Sequence, residues 1–211
     1  MSGVDAGSFS ILTVCTGNLA RSPLAAQLLA ARLDGVAAVT VTSAGTHARD
    51  GDPMTDQAAA LSRHYGGQPD GHRATLLAEN LVESADLVLT ASRPHRAAAV
   101  TLAPRAARYV FTLRQFAHLV ESVDLEQVRE DVSHPGTTVA ERLRALVAAA
   151  AAHRGFIPPA TNPADDDIDD PFQQSQSVYD RVGDQIDSAV AVIAQALVAL
   201  GEPTRNPHRG A

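Results

Sequence analysis

The strongest constraint on this chain is an alternation of short β-prone runs with helix-prone segments. Four runs rich in apolar and β-branched residues occupy positions 8–14, 38–46, 85–91 and 108–113. Helical patterns fall at 23–33, 53–65, 76–84, 93–102, 113–120, 139–152 and 175–200. Strands that alternate with helices are joined by right-handed crossovers, so the pattern predicts an α/β fold built on an open, doubly wound parallel sheet.

The chain has 211 residues, of which 45% are hydrophobic, enough for one domain with a sizeable core. We expect this domain to span 1–200 and residues 201–211 to form a flexible tail. A break at Pro158 and Pro159 is expected within the less regular stretch 124–162. In the last helix, six apolar residues share one face and are expected to pack on the core: Val178, Val182, Ile186, Val190, Ile193 and Leu197.

Charge and cysteine content argue against several kinds of partner and cofactor. The net charge is −7 and only 4% of residues are aromatic, which disfavours nucleic-acid binding. No apolar run looks long enough to cross a bilayer and no basic segment resembles a signal peptide, so no membrane partner is expected. One cysteine cannot form an internal disulfide, and we expect a cytoplasmic protein. The histidines show no ligand spacing, so neither a metal nor another cofactor is expected.

The single cysteine, Cys15, lies where the first predicted strand turns into the first helix. In open α/β sheets this turn is the usual ligand site. Ser22 is predicted to cap the helix and Pro23 to be its first residue, so the helix N-terminus would offer unsatisfied N–H groups to an anion. Gly17 and Asn18 tolerate the left-handed conformations that curl a loop around phosphate oxygens.

Two further side chains would make this anion site reactive. A helix N-terminus and a nearby arginine favour the thiolate form of a cysteine, and Arg21 can bind two oxygens of a tetrahedral anion. The Ser22 hydroxyl can donate to the Cys15 thiolate. A thiolate beneath a phosphoryl group is placed for in-line attack, which predicts a phosphocysteine intermediate. A buried, unreactive cysteine is the alternative, and the combination of residues in "CTGNLARSP" argues against it.

The stretch "VCTGNLARSPLAA" resembles the phosphate-binding loop of the low-molecular-weight protein tyrosine phosphatases. The similarity continues in "SAGT" (43–46), "HRA" (72–74), "ADLVLTASRPHR" (85–96) and "DDPFQQSQSVYDRV" (169–182). The resemblance implies a four-stranded parallel sheet with flanking helices, and hydrolysis of phosphotyrosine. It also implies that residues 114–164 form an insertion longer than is usual in the family.

The resemblance assigns roles to individual residues of the loop and its surroundings. Cys15 would be the nucleophile and Arg21 the catalytic arginine, while Ser43 and His72 would help to hold the loop asparagine. Many members carry a second cysteine at the position of Ala20, so we expect no protective disulfide here. The residues that would bind the substrate's phosphate are Thr16, Gly17, Asn18, Leu19, Ala20 and Ser22.

A phenolate leaving group needs a proton, which a carboxylic acid near the phosphate site can supply. The run "DDDIDDP" contains the candidates. Asp170 precedes a proline, which favours an extended backbone, and it matches the family's Asp-Pro acid, so we assign it this role with Asp169 as second candidate. The aspartates at 165–167 are expected to be solvated. Phe172 would line the cleft, and Tyr179 is expected to face the core.

Three other functions stay open on the sequence alone. Leu19 stands where protein arginine phosphatases of this fold carry threonine, and an apolar residue there favours phosphotyrosine. An arsenate reductase that borrows a low-molecular-weight thiol would also need a single cysteine, although Pro23 and the Asp170–Pro171 pair favour the phosphatase. The intact cysteine, arginine and aspartate argue against a non-catalytic phosphoprotein-binding module. The expected partner is a phosphotyrosine-containing protein, and analogy suggests a bacterial-type tyrosine kinase.

Overall fold

The computed structural model describes residues 7–156 and 162–201, which form a parallel sheet covered by helices. The strands are β1 (Phe9–Cys15), β2 (Val39–Gly45), β3 (Leu87–Thr90) and β4 (Val110–Thr112). Their order in the sheet is β2-β1-β3-β4, and each neighbouring pair is parallel. The predicted α/β fold is confirmed. Cys15 stands opposite Gly45 in the register, so β1 and β2 end at the same edge of the sheet.

Eight α-helices lie within the described ranges. They are α1 (Arg21–Arg32), α2 (Asp56–His64), α3 (Glu79–Glu83), α4 (Arg93–Leu102), α5 (Leu113–Glu121), α6 (Leu125–Asp131), α7 (Val139–His153) and α8 (Gln176–Gly201), with 3₁₀ turns at Pro104–Arg108 and Pro163–Asp166. The third helix is shorter than the predicted 76–84. Its first residues are used elsewhere, because Leu76 forms a parallel bridge with Gly45.

The start of α1 differs from the prediction that Ser22 caps it. The helix begins at Arg21, and Ala20 is the N-cap residue without a side-chain cap. Ser22 and Pro23 are therefore the second and third helical residues. Ser22 does not cap the helix, because its hydroxyl turns to the thiol of Cys15. One consequence is that the arginine of the loop lies in the first turn of a rigid helix.

The sheet packs between two groups of buried apolar side chains. Along β1, Phe9 and Ile11 face the larger group, to which α1, α5, α7 and α8 contribute. Leu12 and Val14 face the smaller group, to which α3 and α4 contribute. Successive residues of a strand point to opposite faces, so both faces of the central strand are covered. The edge where β1 ends is thereby held by packing on both sides.

The stretch 114–164 contains most of α5, all of α6 and α7, and the start of a 3₁₀ turn. The helix predicted at 139–152 is confirmed by α7, whereas α6 was not predicted. Asp124 caps α6 by accepting hydrogen bonds from the backbone N–H groups of Glu126 and Gln127. An Asp three residues before a Gln is a sequence signal for a helix start, so α6 was recognisable in principle. The expected break at Pro158 and Pro159 lies outside the described residues.

By length and composition, α8 is apolar enough to cross a membrane, unlike the expectation that no run reaches this length. Its apolar face is used in the core of the domain. Of the residues predicted to share this face, Val178 is partly buried and the others are buried: Val182, Ile186, Val190, Ile193 and Leu197. Gly201, expected in the tail, is the last residue of α8. The rest of the tail, 202–211, lies outside the described residues.

Candidate active site

The loop between β1 and α1 curls around a buried asparagine. Asn18 has a φ of 55°, the left-handed conformation expected of it, whereas Gly17 does not adopt a positive φ. The Asn18 side chain donates from Nδ2 to Ser22 Oγ and to Ser43 Oγ, both at 2.9 Å. Its Oδ1 accepts from the backbone N–H of Thr75 at 2.9 Å. These three bonds offset the cost of the left-handed backbone and fix the loop's shape.

His72 supports the same asparagine from the other side, as the resemblance implied. Its Nε2 lies 2.9 Å from the backbone oxygen of Asn18. Burial lowers the pKa of His72, which favours the neutral ring near pH 7. A carbonyl oxygen can only accept, so the Nε2 of the neutral ring carries the proton. Ser43 and His72 thus both contact the loop, but neither contacts the thiol.

The thiol of Cys15 ends β1 and faces the loop, with only 2% of the residue exposed. Its Sγ lies 3.0 Å from Ser22 Oγ. Ser22 Oγ accepts from Asn18 Nδ2, so its own proton can go to the sulfur or to the carbonyl of Ala44 at 3.2 Å. A hydroxyl that donates to the sulfur stabilises a thiolate there. The expected Ser22–Cys15 contact is therefore present.

Gly45, at the end of β2, lets the loop approach the sheet closely. A Cβ atom at this position would stand 2.5 Å from the backbone oxygen of Thr16 and 2.7 Å from the backbone nitrogen of Asn18. Both contacts involve backbone atoms, so no side-chain rotation could relieve them. The loop can hold its shape only because this position has no side chain.

The guanidinium of Arg21 joins the loop to a second segment of the chain. It is buried, and its Nη1 donates to the backbone oxygen of Ile168 at 3.1 Å. Its Nη2 donates to Thr16 Oγ1 at 3.2 Å and pairs with Asp170 Oδ2 at 2.7 Å. A planar fork of N–H donors fixed in this way suits the oxygens of a tetrahedral anion.

Of the two candidate acids, only Asp170 reaches the loop. Asp169 instead pairs with Arg181 of α8, at 3.1 Å between Oδ2 and Nη2. The Asp170 carboxylate also accepts from the backbone N–H of Phe172 at 3.2 Å, and about half of its side chain is exposed (52%). The ring of Phe172, two residues after Asp170, is 47% exposed.

Asp167 is not solvated, contrary to the prediction for this acidic run. Its carboxylate accepts from the backbone N–H of Arg93 at 2.7 Å and from the guanidinium of the same residue at 3.0 Å. The next residue, Ile168, donates its backbone N–H to the backbone oxygen of Ala91, just after β3, at 2.8 Å. These contacts tie the segment that carries Asp170 to the start of α4. Of the other two aspartates, Asp165 is exposed and Asp166 partly buried.

His95 was missed by the sequence analysis. It is the third residue of α4 and is buried, with Nε2 2.9 Å from Thr16 Oγ1 and Nδ1 2.6 Å from Ser92 Oγ. Burial, helped by the nearby charge of Arg21, lowers the pKa of His95 to about 4. A histidine just inside a helix that follows a predicted strand was the available signal, because this end of the sheet carries the site.

The remaining predicted positions have simpler surroundings. Leu19 is partly buried, and its carbonyl accepts from the backbone N–H of Thr55 at 2.9 Å. Ala20 is buried where a second cysteine would stand. Tyr179 is buried as predicted, with its hydroxyl 3.3 Å from Thr55 Oγ1. Across the described residues, no group of three or more His, Cys, Asp or Glu side chains is placed to hold a metal ion.

Comparisons with known sequences agree on one family. Residues 10–149 match the family model described as low molecular weight phosphotyrosine protein phosphatase. The chain is 38% identical over 95 residues to the low molecular weight protein-tyrosine-phosphatase Etp of Escherichia coli K12, a match that covers 45% of this chain and 62% of Etp. It is 37% identical over 109 residues to a protein-arginine-phosphatase of Geobacillus stearothermophilus, covering 51% of this chain and 71% of that protein.

Solved structures with the same fold extend over most of the chain. The YwlE arginine phosphatase of Geobacillus stearothermophilus superposes with a TM-score of 0.62 at 26% identity, covering 90% of this chain and 94% of that one. Vibrio vulnificus Wzb, solved in complex with benzylphosphonate, gives a TM-score of 0.62 at 23% identity, covering 90% and 99% of the two chains. At 23% identity, the similarity to Wzb is evidence for the shared fold only.

Proposed function

Because this chain belongs to the low molecular weight phosphotyrosine protein phosphatase family, we propose that it hydrolyses phosphotyrosine in proteins through a phosphocysteine intermediate. One observation carries the proposal. The thiol of Cys15, the guanidinium of Arg21 and the carboxylate of Asp170 meet around one loop, although the aspartate comes from a distant part of the chain. These are a nucleophile, an anion ligand and an acid in the places that phosphoryl transfer from an aryl ester requires.

In the first step, the Cys15 thiolate attacks phosphorus and the bond from phosphorus to the phenolic oxygen breaks. Asp170 gives its proton to the departing oxygen, so the product is a neutral phenol rather than a phenolate. Arg21 binds two phosphoryl oxygens as charge moves onto them. The Ser22 hydroxyl, 3.0 Å from the sulfur, stabilises the thiolate before attack.

In the second step, water attacks the phosphocysteine and the sulfur–phosphorus bond breaks. Asp170, now a carboxylate, takes the proton from the attacking water. The products are inorganic phosphate and the original thiolate, which Ser22 again stabilises as a leaving group. The cycle therefore needs no oxidant, reductant or metal ion as a co-reactant.

The central experiment uses the fact that Cys15 is the only cysteine in the chain. We expect the protein to release phosphate from a phosphotyrosine peptide and from 4-nitrophenyl phosphate, with inhibition by vanadate. Iodoacetate should inactivate it by labelling one site, and inorganic phosphate should protect against labelling. Rapid quenching with a ³²P-labelled substrate should trap label on the protein.

Cys15→Ser is the decisive variant, and Ser188→Ala, at an exposed position of α8, is the control substitution. We expect Cys15→Ser to lose turnover and the trapped label while it still binds inorganic phosphate. Full hydrolysis by Cys15→Ser would show that the nucleophile assignment is wrong. Phosphate binding without turnover by the native protein would instead indicate a phosphoprotein-binding module.

Phosphoarginine is the second candidate substrate, because a relative at 37% identity is named a protein-arginine-phosphatase. Leu19 is the residue to test, since its side chain belongs to the loop and stands where arginine phosphatases of this fold carry threonine. We expect the native protein to prefer phosphotyrosine, and Leu19→Thr to shift the ratio of kcat/KM values towards phosphoarginine. A native preference for phosphoarginine would reverse the choice of substrate. Reduction of arsenate with added low-molecular-weight thiols, without aryl phosphate hydrolysis, would point to the reductase.

The proposed partner is a tyrosine-phosphorylated protein, with an autophosphorylating bacterial-type tyrosine kinase as the candidate. The half-exposed ring of Phe172 beside Asp170 supports an aromatic substrate side chain at the cleft. A cytoplasmic location is part of the same proposal, because a single free thiol works as a nucleophile only while it stays reduced. Mass spectrometry of phosphoproteins captured on the Asp170→Asn variant tests the partner, and fractionation of cells tests the location.

A further inference from the structure

The start of α4 lies against the phosphate loop, and His95 is the contact between them. The residue is 8% exposed, and both of its ring nitrogens have hydrogen-bond partners. Nδ1 lies 2.6 Å from Ser92 Oγ and Nε2 lies 2.9 Å from Thr16 Oγ1. Thr16 follows the nucleophile directly in the chain. A buried ring held at both nitrogens has one orientation, so it can fix the group it touches.

Arg21 can only donate hydrogen bonds, which leaves the proton of the Thr16 hydroxyl available to another acceptor. Its Nη2 donates to Thr16 Oγ1 at 3.2 Å, so the hydroxyl is an acceptor on that side. The Thr16 hydroxyl proton can then go to His95 Nε2, and His95 Nδ1–H donates to Ser92 Oγ. Such a run of donors in one direction strengthens each bond in it. It requires a neutral ring, and burial of His95 keeps the ring neutral near pH 7.

Among the described residues, the guanidinium of Arg21 has two hydrogen-bond anchors besides Asp170, and the hydroxyl of Thr16 is one of them. The other is the carbonyl of Ile168, which accepts from Nη1 of Arg21 at 3.1 Å. When a phosphoryl group takes the guanidinium away from Asp170, the orientation of the arginine depends on these two anchors. Losing the Thr16 anchor would leave the fork of N–H donors free to rotate relative to the bound oxygens.

We propose that His95 is a positioning residue which, by holding the Thr16 hydroxyl, fixes Arg21 in the orientation that binds the phosphoryl group. The proposal rests on the function proposed above, since it concerns the same site. Among the described residues, His95 has no hydrogen bond to the thiol of Cys15 or to the carboxylate of Asp170; its ring contacts Thr16 and Ser92. Its effect should therefore be seen in phosphate affinity and KM, more than in the protonation of the leaving group.

The experiment compares three substitutions at one position. An amide at the end of glutamine can place its oxygen where Nε2 of histidine stands, whereas asparagine reaches only the place of Nδ1. We expect His95→Gln to keep the contact with Thr16, and His95→Ala and His95→Asn to lose it. Binding of inorganic phosphate by calorimetry and the kinetics of 4-nitrophenyl phosphate hydrolysis are the two readouts.

Loss of the contact should weaken phosphate binding and raise KM by about five- to tenfold, the size expected for one neutral hydrogen bond, with a smaller change in kcat. Thr16→Val, which removes the same hydroxyl, should give a similar change. The double variant Thr16→Val with His95→Ala should be no worse than either single variant, because both break one chain of contacts.

Unchanged phosphate binding in His95→Ala would overturn the proposal, as would multiplicative effects in the double variant. So would a lower unfolding temperature in His95→Ala with phosphate affinity retained, because that result means a purely structural role. If His95→Ala does not fold, unchanged phosphate binding in Thr16→Val overturns it equally. Because phosphate binding needs no turnover, the positioning role can hold even where hydrolysis of phosphotyrosine is not found.

Discussion

Arg21 Nη2 and Asp170 Oδ2 lie 2.7 Å apart, so the proposed phosphate ligand and the proposed acid are partners in one ion pair. A bound phosphoryl group would compete for the same guanidinium. The Asp170 carboxyl group would then be released from the guanidinium and could face the departing phenolic oxygen. Substrate binding itself would thus free the Asp170 carboxyl group for its proposed role at the leaving group.

Removing the carboxylic acid of Asp170 should slow hydrolysis most for aryl phosphates whose phenol is a poor leaving group. We expect Asp170→Asn to lower kcat for phenyl phosphate by about 10²- to 10⁴-fold, the usual contribution of general acid catalysis, and less for 4-nitrophenyl phosphate. The measurement is kcat across a series of aryl phosphates. Asp169→Asn is the matched control and should leave kcat near the native value, because Asp169 pairs with Arg181 away from the loop. Equal losses for all leaving groups would contradict the role of Asp170.

A methyl group at position 45 should disrupt the phosphate loop without touching its side chains. In Gly45→Ala the new Cβ would meet the Thr16 backbone oxygen at 2.5 Å, so the loop must move. We expect phosphate binding and kcat/KM to fall by about 10²-fold or more, as for catalytic groups displaced by about 1 Å. Calorimetry with phosphate checks this. Gly35→Ala has open space around its Cβ and should behave like the native protein.

The sequence was informative where structure depends on neighbours in the chain. The strands around Cys15 follow from local apolar patterns, and the left-handed Asn18 follows from its residue type. The predicted start of α1 was wrong because the Ser22 hydroxyl contacts the thiol of Cys15, seven residues earlier in the chain, and does not cap the helix. Asp167 and His95 went unrecognised for a related reason. Their partners, Arg93 and Thr16, are brought to them only by the fold.

The contact between Asp167 and Arg93 should control where Asp170 stands. Asp167→Ala removes the bonds to both the backbone N–H and the guanidinium of Arg93, whereas Arg93→Ala removes only the second. We expect kcat for phenyl phosphate to fall about ten- to a hundredfold in Asp167→Ala and less in Arg93→Ala, with phosphate affinity changed little. The kinetics of both variants with good and poor leaving groups check this order.

An ion pair on the surface provides the control for the contact between Asp167 and Arg93. Arg63 and Asp70 form an exposed ion pair, and among the described residues neither side chain has a hydrogen bond to the loop 15–22; such pairs contribute little to stability. Arg63→Ala should therefore leave kcat unchanged for every leaving group. If Asp167→Ala weakens phosphate binding as much as it lowers kcat, the segment supports the loop as a whole rather than the acid.

The protein should lose stability as the pH falls from about 6.5 to about 4, in part because His95 is buried as a neutral ring. Its pKa is lowered to about 4 from an ordinary value of 6.5, so within this window the unfolded chain binds a proton that the folded chain does not. The free energy of unfolding therefore decreases as the pH is lowered through this window. The contribution of His95 to stability is fully present above pH 6.5. Arg21 and His47 act to lower this pKa, and Asp170 and Asp167 oppose them.

Unfolding temperatures measured between pH 7 and pH 4 test this linkage with His95→Gln, whose side chain does not titrate. We expect its stability to fall less steeply with acid than that of the native protein. Part of the slope should persist, because burial lowers the pKa of His72 in the same direction. His118→Gln, at an exposed position on α5, is the control for the loss of a histidine side chain. A native slope in His95→Gln would mean that His95 takes up its proton equally in the folded and unfolded chains.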